Sequence, residues 1–296
     1  MTGVREALIY GYYPGCSLHA SAKEYDLSTR ALFEALGIGL TEVPDWICCG
    51  ATPAHTVDEL LSLSLCAKNL AIAETVPGDL AVPCASCFSR LKTAQHELTV
   101  DLARRNTVAK VIESPVPLAK NIKHPLEIVG RDWGLEPLTA AVKKPLAGLK
   151  VACYYGCLLT RPPEVSQLDD AEAPTIMEQV IEAAGAETVS WSHRLECCGA
   201  SFTLPRPGVV VKLTAEILAA AKDAGADCLT VGCPLCQGNL DLRQQEVEAQ
   251  SGVRYDLPVL YFTQLLGLAL GLAPARLGLS GLMVDPLPLL KLKGLL

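Results

Sequence analysis

ECCGASF at residues 196–202 and GCPLCQGN at residues 232–239 are the two segments around which this sequence is organised. The first holds two adjacent cysteines, the second holds a CxxC pair, and 34 residues separate the two pairs. The four cysteines are Cys197, Cys198, Cys233 and Cys236. Closely spaced cysteine pairs of this kind favour a metal centre built from thiolate ligands.

The same arrangement occurs earlier in the chain. ICCGAT contains Cys48 and Cys49, PCASC contains Cys84 and Cys87, and 34 residues again separate the two pairs. The copies are offset by 149 residues. Because self-similarity at a fixed offset is the mark of an internal repeat, we expect two copies of one structural unit.

A further cysteine precedes each double motif in a matching setting. YYPGCSL contains Cys16, and YYGCLL contains Cys157, 141 residues later. The shorter offset indicates an insertion of about eight residues near TRPPEVSQLDD, since the other positions differ by 149. Ten of the thirteen cysteines therefore follow the repeat, five in each half.

Three kinds of cysteine site compete for this pattern. A disulfide framework is disfavoured because the cysteine total is odd, bridged domains are usually far shorter, and MTGVREALIY does not resemble a signal peptide. Structural zinc is closed by four ligands and leaves the fifth cysteine unexplained. An iron–sulfur cluster in each half suits clustered thiolates best. The fifth thiolate could bridge two irons or remain a free redox thiol.

Three cysteines lie outside the repeat. Cys66 falls on the apolar face of a predicted helix, and Cys153 and Cys228 fall inside predicted strands. Small buried cysteines commonly act as core residues, and we expect this of all three. A competing interpretation is that Cys153, rather than Cys157, is a ligand. The alignment of GC with GC in the two repeats favours Cys157.

Composition sets limits on partners and compartment. The chain has 296 residues, half of them hydrophobic, which is enough for two globular domains. A net charge of −7 argues against nucleic acid as a partner. The apolar run QLLGLALGLAPARLGL is too short and too broken to span a membrane. Thirteen cysteines that need to stay reduced point to the cytoplasm.

Alternating strand and helix patterns predict an α/β fold. We expect two pseudo-symmetric repeats, each a small parallel sheet flanked by helices, with metal-cluster loops at the carboxyl ends of the strands. Thr56 and Glu59 have the form of a capping box that starts a helix. The predicted strands are 7–13, 38–43, 79–83, 149–155, 186–191 and 226–231, and the predicted helices include 21–36, 57–73, 173–184 and 208–224.

The predicted boundary between the two domains lies near Pro145, giving domains of residues 1–145 and 146–296. Prolines and basic pieces between residues 101 and 147 indicate the end of the first domain and a linker. The tail VDPLPLLKLKGLL belongs to the second domain. It either straps over that domain or docks a partner subunit, and the sequence favours neither.

The doubled CC and CxxC spacing, with YYGCLLTRP, KNLAIAE, CPLCQGNLD and VDPLPLL, resembles the B subunit of heterodisulfide reductase over essentially the whole chain. The resemblance implies two four-iron clusters of non-cubane type, one per repeat. It also implies a thiol or disulfide substrate, a ferredoxin-like C subunit and a flavin-bearing A subunit. The implied ligands are Cys16, Cys48, Cys49, Cys84 and Cys87 for the first cluster, and Cys157, Cys197, Cys198, Cys233 and Cys236 for the second.

Two functions follow from this resemblance. One is the catalytic subunit of a heterodisulfide reductase, or of a similar complex running in reverse in sulfur oxidation. The other is an electron-relay subunit, since the same cysteine module occurs in succinate, glycolate and glycerol-phosphate oxidoreductases. Two complete cysteine sets favour catalysis. Side chains beside the ligands are candidates for contact with a charged substrate, namely His19, Tyr154, Arg161, His193 and Arg194.

Overall fold

Two four-stranded parallel sheets, one in each repeat, form the framework of the protein. The computed structural model describes residues 7–51 and 54–296. The first sheet has the order β2-β1-β3-β4 and the second the order β6-β5-β7-β8, with every pair parallel. The strands are β1 (Ile9–Tyr12), β2 (Gly39–Glu42), β3 (Leu80–Ala81), β4 (Ile122–Lys123), β5 (Lys150–Tyr154), β6 (Glu187–Thr188), β7 (Cys228–Val231) and β8 (Val259–Tyr261). This confirms the predicted α/β fold of two similar repeats.

Helices cover both sheets and connect their strands. In the first half they are α1 (Gly15–His19), α2 (Lys23–Ala35), α3 (Ala54–Val57), α4 (Glu59–Ala73), α5 (Ala85–Val100), α6 (Leu102–Val111), α7 (Pro125–Glu127) and α8 (Leu135–Ala141), with a π-helical segment (Ile128–Gly134) before α8. In the second half they are α9 (Pro163–Ser166), α10 (Ile176–Ala183), α11 (Pro207–Asp223), α12 (Pro234–Leu242), α13 (Gln244–Ser251), α14 (Phe262–Ala269) and α15 (Leu287–Leu292). Short 3₁₀ turns lie at Ala200–Phe202, Pro274–Leu277 and Leu279–Gly281.

The capping box predicted at Thr56 and Glu59 is wrong. Thr56 lies inside the short helix α3, and the longer helix α4 begins after Asp58. The Asp58 carboxylate accepts a hydrogen bond from the Leu61 backbone N–H at 2.7 Å, so Asp58 is the N-cap. An aspartate satisfies the free N–H groups of a first turn and also complements the helix dipole.

The central strands are buried on both faces, as expected for a parallel sheet covered by helices. β5 and β7 pair in register from Val151 with Cys228 to Tyr154 with Val231. The side chains of Cys153 and Cys228 are fully buried in this pair, and Cys66 is buried inside α4. The prediction that these three cysteines are core residues is confirmed.

The segment predicted to contain a linker between residues 101 and 147 is mostly regular structure. It supplies α6, the fourth strand β4, the π-helical segment and α8. β4 completes the first sheet by pairing Leu80 with Ile122 and Ala81 with Lys123. Pro145, where the domain boundary is predicted, lies between α8 and β5.

The two repeats exchange their last helices. After β4, the π-helical segment and α8 pack against α10 of the second repeat, and after β8, α14 packs against α2 of the first. A Cβ on Gly130 would lie 3.0 Å from Ile176, which shows how closely the π-helical segment approaches α10. The Ser28 and Thr263 hydroxyls form a buried hydrogen bond of 2.7 Å between α2 and α14. Each repeat therefore completes the core of the other.

The C-terminal tail packs along the second repeat. The Asp241 carboxylate accepts hydrogen bonds from the backbone N–H groups of Met283 and Val284 at 2.8 and 3.0 Å. Leu290 is fully buried, and the Lys293 ammonium lies 2.7 Å from the Asp227 carboxylate. These contacts support the strap alternative for the tail. Among the described residues, no helix has the length and apolar content needed to cross a membrane.

Gly78 holds the turn that leads into β3. Its φ is +69°, and a Cβ there would overlap the carbonyl oxygen of Ile9. We expect Gly78→Ala to lower the free energy of unfolding by about 3 kcal/mol, because strained backbone and steric overlap add. Gly37→Ala is the control, since Gly37 has φ +70° but open space around it. It should cost about 1 kcal/mol. If urea unfolding showed an equal loss of unfolding free energy for the two variants, overlap of the new Cβ with the Ile9 carbonyl oxygen would not be the cause.

Candidate functional site

The repeat cysteines gather at the carboxyl ends of the strands. In the first half, Cys16 lies in α1 just after β1, and Cys48 and Cys49 lie in the loop after β2. Cys84 is the N-cap of α5, and Cys87 lies in its first turn. The second half repeats this placement around β5, β6 and α12. In proteins built on parallel sheets, ligands commonly bind at the edge formed by the carboxyl ends of the strands.

The two cysteine sets have matching geometry. The sulfurs of Cys49 and Cys87 are 3.2 Å apart in the first set, and those of Cys198 and Cys236 are 3.5 Å apart in the second. The glycine after each CC pair directs its N–H at the first cysteine of the pair. Gly50 N lies 3.4 Å from Cys48 Sγ, and Gly199 N lies 3.3 Å from Cys197 Sγ.

Neighbouring thiols stabilise a thiolate in each set. Hydrogen bonds with the side chains of Cys48 and Cys87 lower the pKa of Cys49 far below the ordinary thiol value. In the second set, the Cys157 thiol donates to Cys197 and lowers the pKa of Cys197 to about 6. A thiolate is the form of cysteine that binds metals. Burial instead raises the pKa of Cys153 well above the ordinary value and keeps that thiol protonated.

The two sets meet at the boundary between the repeats. The Cys84 thiol interacts with Cys233, and together with Cys236 it lowers the pKa of Cys233. Cys84 and Cys233 occupy equivalent positions, each at the N-cap of its helix. Equivalent cysteines of the two repeats are therefore in contact where the repeats meet.

The space beside each CxxC is kept free by a glycine. Gly15 has φ +70° and a Cβ there would lie 3.0 Å from the sulfur of Cys87. Gly156 has φ +65° and its Cβ would lie 3.1 Å from the sulfur of Cys236. Among the described residues, no three Cys, His, Asp or Glu side chains converge on one metal-ion position. Thiolates spread around a glycine-lined space fit an iron–sulfur cluster, in which different irons take different cysteines.

A cavity of about 160 Å³ opens onto the second cysteine set. All five cysteines of that set line it: Cys157, Cys197, Cys198, Cys233 and Cys236. The opposite wall comes from the first repeat and includes His55, Ser86 and Arg90. The cavity is thus shared between the two halves.

The two repeats differ at the position of Arg90, which lines the cavity. Its equivalent in the second repeat is Asn239, which donates to the carbonyl oxygen of Cys198 at 3.0 Å and accepts from the Thr203 hydroxyl at 3.0 Å. Arg90 is half-buried, and the nearby carboxylates of Glu59 and Glu97 pair with Arg104 instead, at 2.7 and 3.0 Å. No ion pair within the described part of the chain involves Arg90. Arg90 lines this cavity and also a neighbouring depression that contains Glu59, Cys66 and Glu97.

His55, Ser86 and Arg90 were not among the site residues predicted from the sequence. Arg90 lies three residues after Cys87 in α5, so helical spacing places it on the same face as that cysteine. The helical spacing does not show that Arg90 meets residues of the second repeat. Arg90 lines a cavity with the cysteine set of the other repeat, and only the folded molecule brings these residues together.

The predicted substrate contacts lie around the site rather than on the cavity wall. The His19 imidazole lies 3.3 Å from the Glu42 carboxylate and packs edge-on against Trp46. The Tyr154 hydroxyl donates to the carbonyl oxygen of Glu196 at 2.6 Å, and the Tyr154 ring is buried.

The remaining candidates are also paired. Arg161 forms an ion pair of 3.0 Å with Glu172, and Arg194 pairs with Glu178 at 3.4 Å. His193 lies beside Ser192 at a separate, open depression. A substrate contact for any of these five side chains therefore stays a prediction.

Comparisons with known proteins agree on the repeat. The CCG family, described as "Cysteine-rich domain", matches residues 10–92 and again residues 151–241. A solved structure titled as a hypothetical protein from Helicobacter pylori shares the fold with a TM-score of 0.75 at 13% identity. It matches 95% of this chain and 53% of that one.

Relatives that match over nearly their whole length share both halves. The 8-methylmenaquinol:fumarate reductase membrane anchor subunit of Wolinella succinogenes is 35% identical over 93% of this chain and 97% of its own. The B subunit of the ferredoxin/F420H2-dependent CoB-CoM heterodisulfide reductase of Methanosarcina acetivorans is 31% identical over 90% and 91%. A protein of Archaeoglobus profundus, named as similar to the heterodisulfide reductase B subunit, is 29% identical over 94% and 95%.

Proposed function

Since the chain belongs to the family of two-repeat CCG cysteine-rich proteins that includes heterodisulfide reductase B subunits, we propose that it is the catalytic subunit of a reductase-type complex that cleaves or forms a disulfide. The chain is an iron–sulfur redox subunit, and the family and the cysteine-rich site agree on this assignment. Our proposal goes further and concerns the substrate, the type of cluster and the partner subunits.

One observation carries the catalytic proposal. The cavity that would hold the second cluster extends to a wall from the first repeat, and that wall includes the polar side chains of His55, Ser86 and Arg90. A cluster that only relays electrons has no need of such a polar wall, because electrons pass through closed protein. The cavity therefore supports a reaction with a bound substrate.

The proposed ligands are the five cysteines of each set, with a four-iron cluster of non-cubane type in each. Such clusters supply or accept electrons near the reacting sulfur atoms. The ligands are Cys16, Cys48, Cys49, Cys84 and Cys87 in the first set, and Cys157, Cys197, Cys198, Cys233 and Cys236 in the second.

The overall reaction consumes two electrons and two protons. In the cleavage direction the S–S bond of the substrate breaks and two thiols form. A ferredoxin-like C subunit and a flavin-bearing A subunit are the proposed electron partners, and the cytoplasm, where thiols stay reduced, is the proposed compartment. The imidazole of His55 lines the cavity, where it is placed to deliver a proton to a reacting sulfur.

Arg90 is suited to bind an acidic group of the substrate. Its guanidinium has no carboxylate partner among the described residues, and a half-buried position strengthens its attraction for an anion. A carboxylate, sulfonate or phosphate bound there would place the adjoining sulfur toward the second cysteine set. We therefore assign the orientation of the substrate to Arg90, a side chain of the first repeat.

We expect Arg90→Ala to raise the KM for a carboxylate-bearing disulfide by roughly tenfold or more, because a charge-assisted hydrogen bond is lost. The kcat should change little. Steady-state assays with an artificial electron donor measure both constants, and the matching amide disulfide is the substrate control. Lys68→Ala, which removes an exposed cation on α4, is the protein control. Equal KM changes for the acidic and the amide substrate would contradict the proposed contact.

A panel of mixed disulfides offered with the same donor tests the function itself. Reduction of one or more of them above the rate without protein is the expected result. Absence of reduction across the panel, by protein that carries iron and sulfide, would defeat the catalytic proposal.

The second candidate is an electron-relay subunit of a respiratory oxidoreductase of succinate, glycolate or glycerol-phosphate type. The relative from Wolinella succinogenes, named as a fumarate reductase subunit, favours it. The two candidate functions predict different effects on disulfide cleavage when one cysteine set is damaged. Measuring that effect therefore provides a direct test.

A further inference from the structure

We propose that His124 is a positioning residue shared by both cysteine sets, which holds the two CxxC loops at a fixed separation. His124 follows β4 in the first repeat and is completely buried at the boundary between the repeats. The proposal rests on the assignment of the two cysteine sets as cluster sites. It does not depend on which substrate the protein uses.

A single nitrogen of His124 contacts both repeats. His124 Nε2 lies 2.9 Å from the carbonyl oxygen of Pro83 and 2.9 Å from that of Gly232. These residues immediately precede Cys84 and Cys233, the first cysteines of the two CxxC pairs. One imidazole therefore joins equivalent points of two loops that are 149 residues apart in sequence.

The hydrogen bonds determine which nitrogen carries the proton. His124 Nδ1 accepts a hydrogen bond from the Leu126 backbone N–H at 3.2 Å, so the ring proton is on Nε2. Nε2–H then donates to both carbonyl oxygens at once. Burial lowers the pKa of His124 to about 4, which keeps the ring neutral and this arrangement intact at pH 7.

Packing leaves the ring little freedom to move. Phe88 and Phe262 lie on either side, with ring centroids 6.0 and 6.1 Å from that of His124. A Cβ on Gly232 would come within 2.9 Å of His124 Cε1, so glycine is required for the close approach of the second loop. The position of His124 is thus set by residues from both halves.

The second repeat has no histidine at the equivalent position. There the pairing register places Tyr261, the last residue of β8, which stacks on Tyr25 of the first repeat with centroids 4.0 Å apart and planes inclined by 3°. Tyr25 also directs its hydroxyl at the carbonyl oxygen of Gly232, at 3.4 Å. His124 therefore has no symmetric copy that would replace it if it were lost.

Removing the imidazole should disturb both loops together. The Pro83 carbonyl oxygen would remain buried without its donor, and the Gly232 carbonyl oxygen would keep only the longer hydrogen bond of 3.4 Å from Tyr25, which is unfavourable enough to move the backbone. The Cys84 and Cys233 side chains interact directly, so a shift in either loop changes the separation of the two sets. This coupling distinguishes a positioning residue from an ordinary core residue of one repeat.

Hydrogen exchange of the cluster-free protein, read by mass spectrometry, tests the proposal without any activity assay. We expect His124→Leu to increase exchange at least about tenfold in the segments around both Cys84–Cys87 and Cys233–Cys236. His124→Gln keeps N–H donors at the position of Nε2 and should restore most of the protection. His96→Leu, a change at an exposed histidine of α5, is the control.

A second variant covers the case in which His124→Leu fails to fold. Gly232→Ala places a methyl group against the His124 ring and should loosen the Cys84 loop, although the change is in the other repeat. In cluster-loaded protein, the magnetic interaction between the two reduced centres should change in the same variants. Faster exchange in one loop alone, or no rescue by glutamine, would overturn the proposal. A protein with coupled loops but no bound iron would instead defeat the proposed function.

Discussion

Disulfide cleavage should fall by roughly a thousandfold or more in a Cys198→Ala variant, and by a similar factor in Cys49→Ala. Both side chains are buried, and each sulfur lies beside the last cysteine of its set, at 3.5 Å for Cys198 and 3.2 Å for Cys49. Each change therefore damages one set and leaves the other complete. If the substrate needs both sets, either loss is sufficient to stop the reaction.

The double variant should be little worse than either single one, because residues that act as a unit do not contribute additively. The assay uses a small diffusible electron donor, so that partner docking is bypassed. Cys228→Ala is the control, since that cysteine is buried in β7 away from both sets and should cost on the order of 1 kcal/mol in stability only. Substantial activity in either single variant would defeat the paired mechanism and favour the relay alternative.

The second large effect concerns iron content. Anaerobically prepared protein should contain about eight irons per chain, and Cys157→Ala should contain about four. Cys157 lines the cavity and its thiol interacts with Cys197, whereas Cys153, four residues earlier, is enclosed in β5. Cys153→Ala should therefore retain all of its iron.

Iron and acid-labile sulfide, measured on the two variants and the unmodified protein, decide between the cysteines. If Cys153→Ala lost half of the iron while Cys157→Ala kept it, the repeat alignment on which the ligand assignment rests would be wrong. Stoichiometric zinc with no sulfide after reconstitution would exclude the cluster assignment altogether.

Strand and helix patterns, together with the repeat spacing, were sufficient to predict the α/β halves and the position of the cysteine loops at the strand ends, because cysteines at fixed offsets mark equivalent strand ends. They were insufficient for the fourth strands. β4 and β8 lead to no cysteine motif, unlike the similarly short β3 and β6, and β4 lies in a proline-rich segment interpreted as a linker. Their place in the sheets is set by pairing with β3 and β7, which is a long-range contact.

The cavity wall was missed for a different reason. His55 and Arg90 belong to the first repeat but face the cysteines of the second, and local spacing carries no information about such an exchange. The candidates chosen for their closeness to a cysteine in sequence, such as Arg161 and Arg194, are held by carboxylates instead. Proximity along the chain is a weak guide where two halves form one site.

The exchange of helices between the halves gives the chain the architecture of a homodimer joined end to end. A single-repeat ancestor would have paired with a second copy by the same exchange of α2- and α14-like helices, and two identical cavities would have formed at their contact. Once both copies were encoded together, each could mutate without altering the other. The contrasts between Arg90 and Asn239, and between His124 and Tyr261, are the differences expected of that freedom in two halves that keep a common fold.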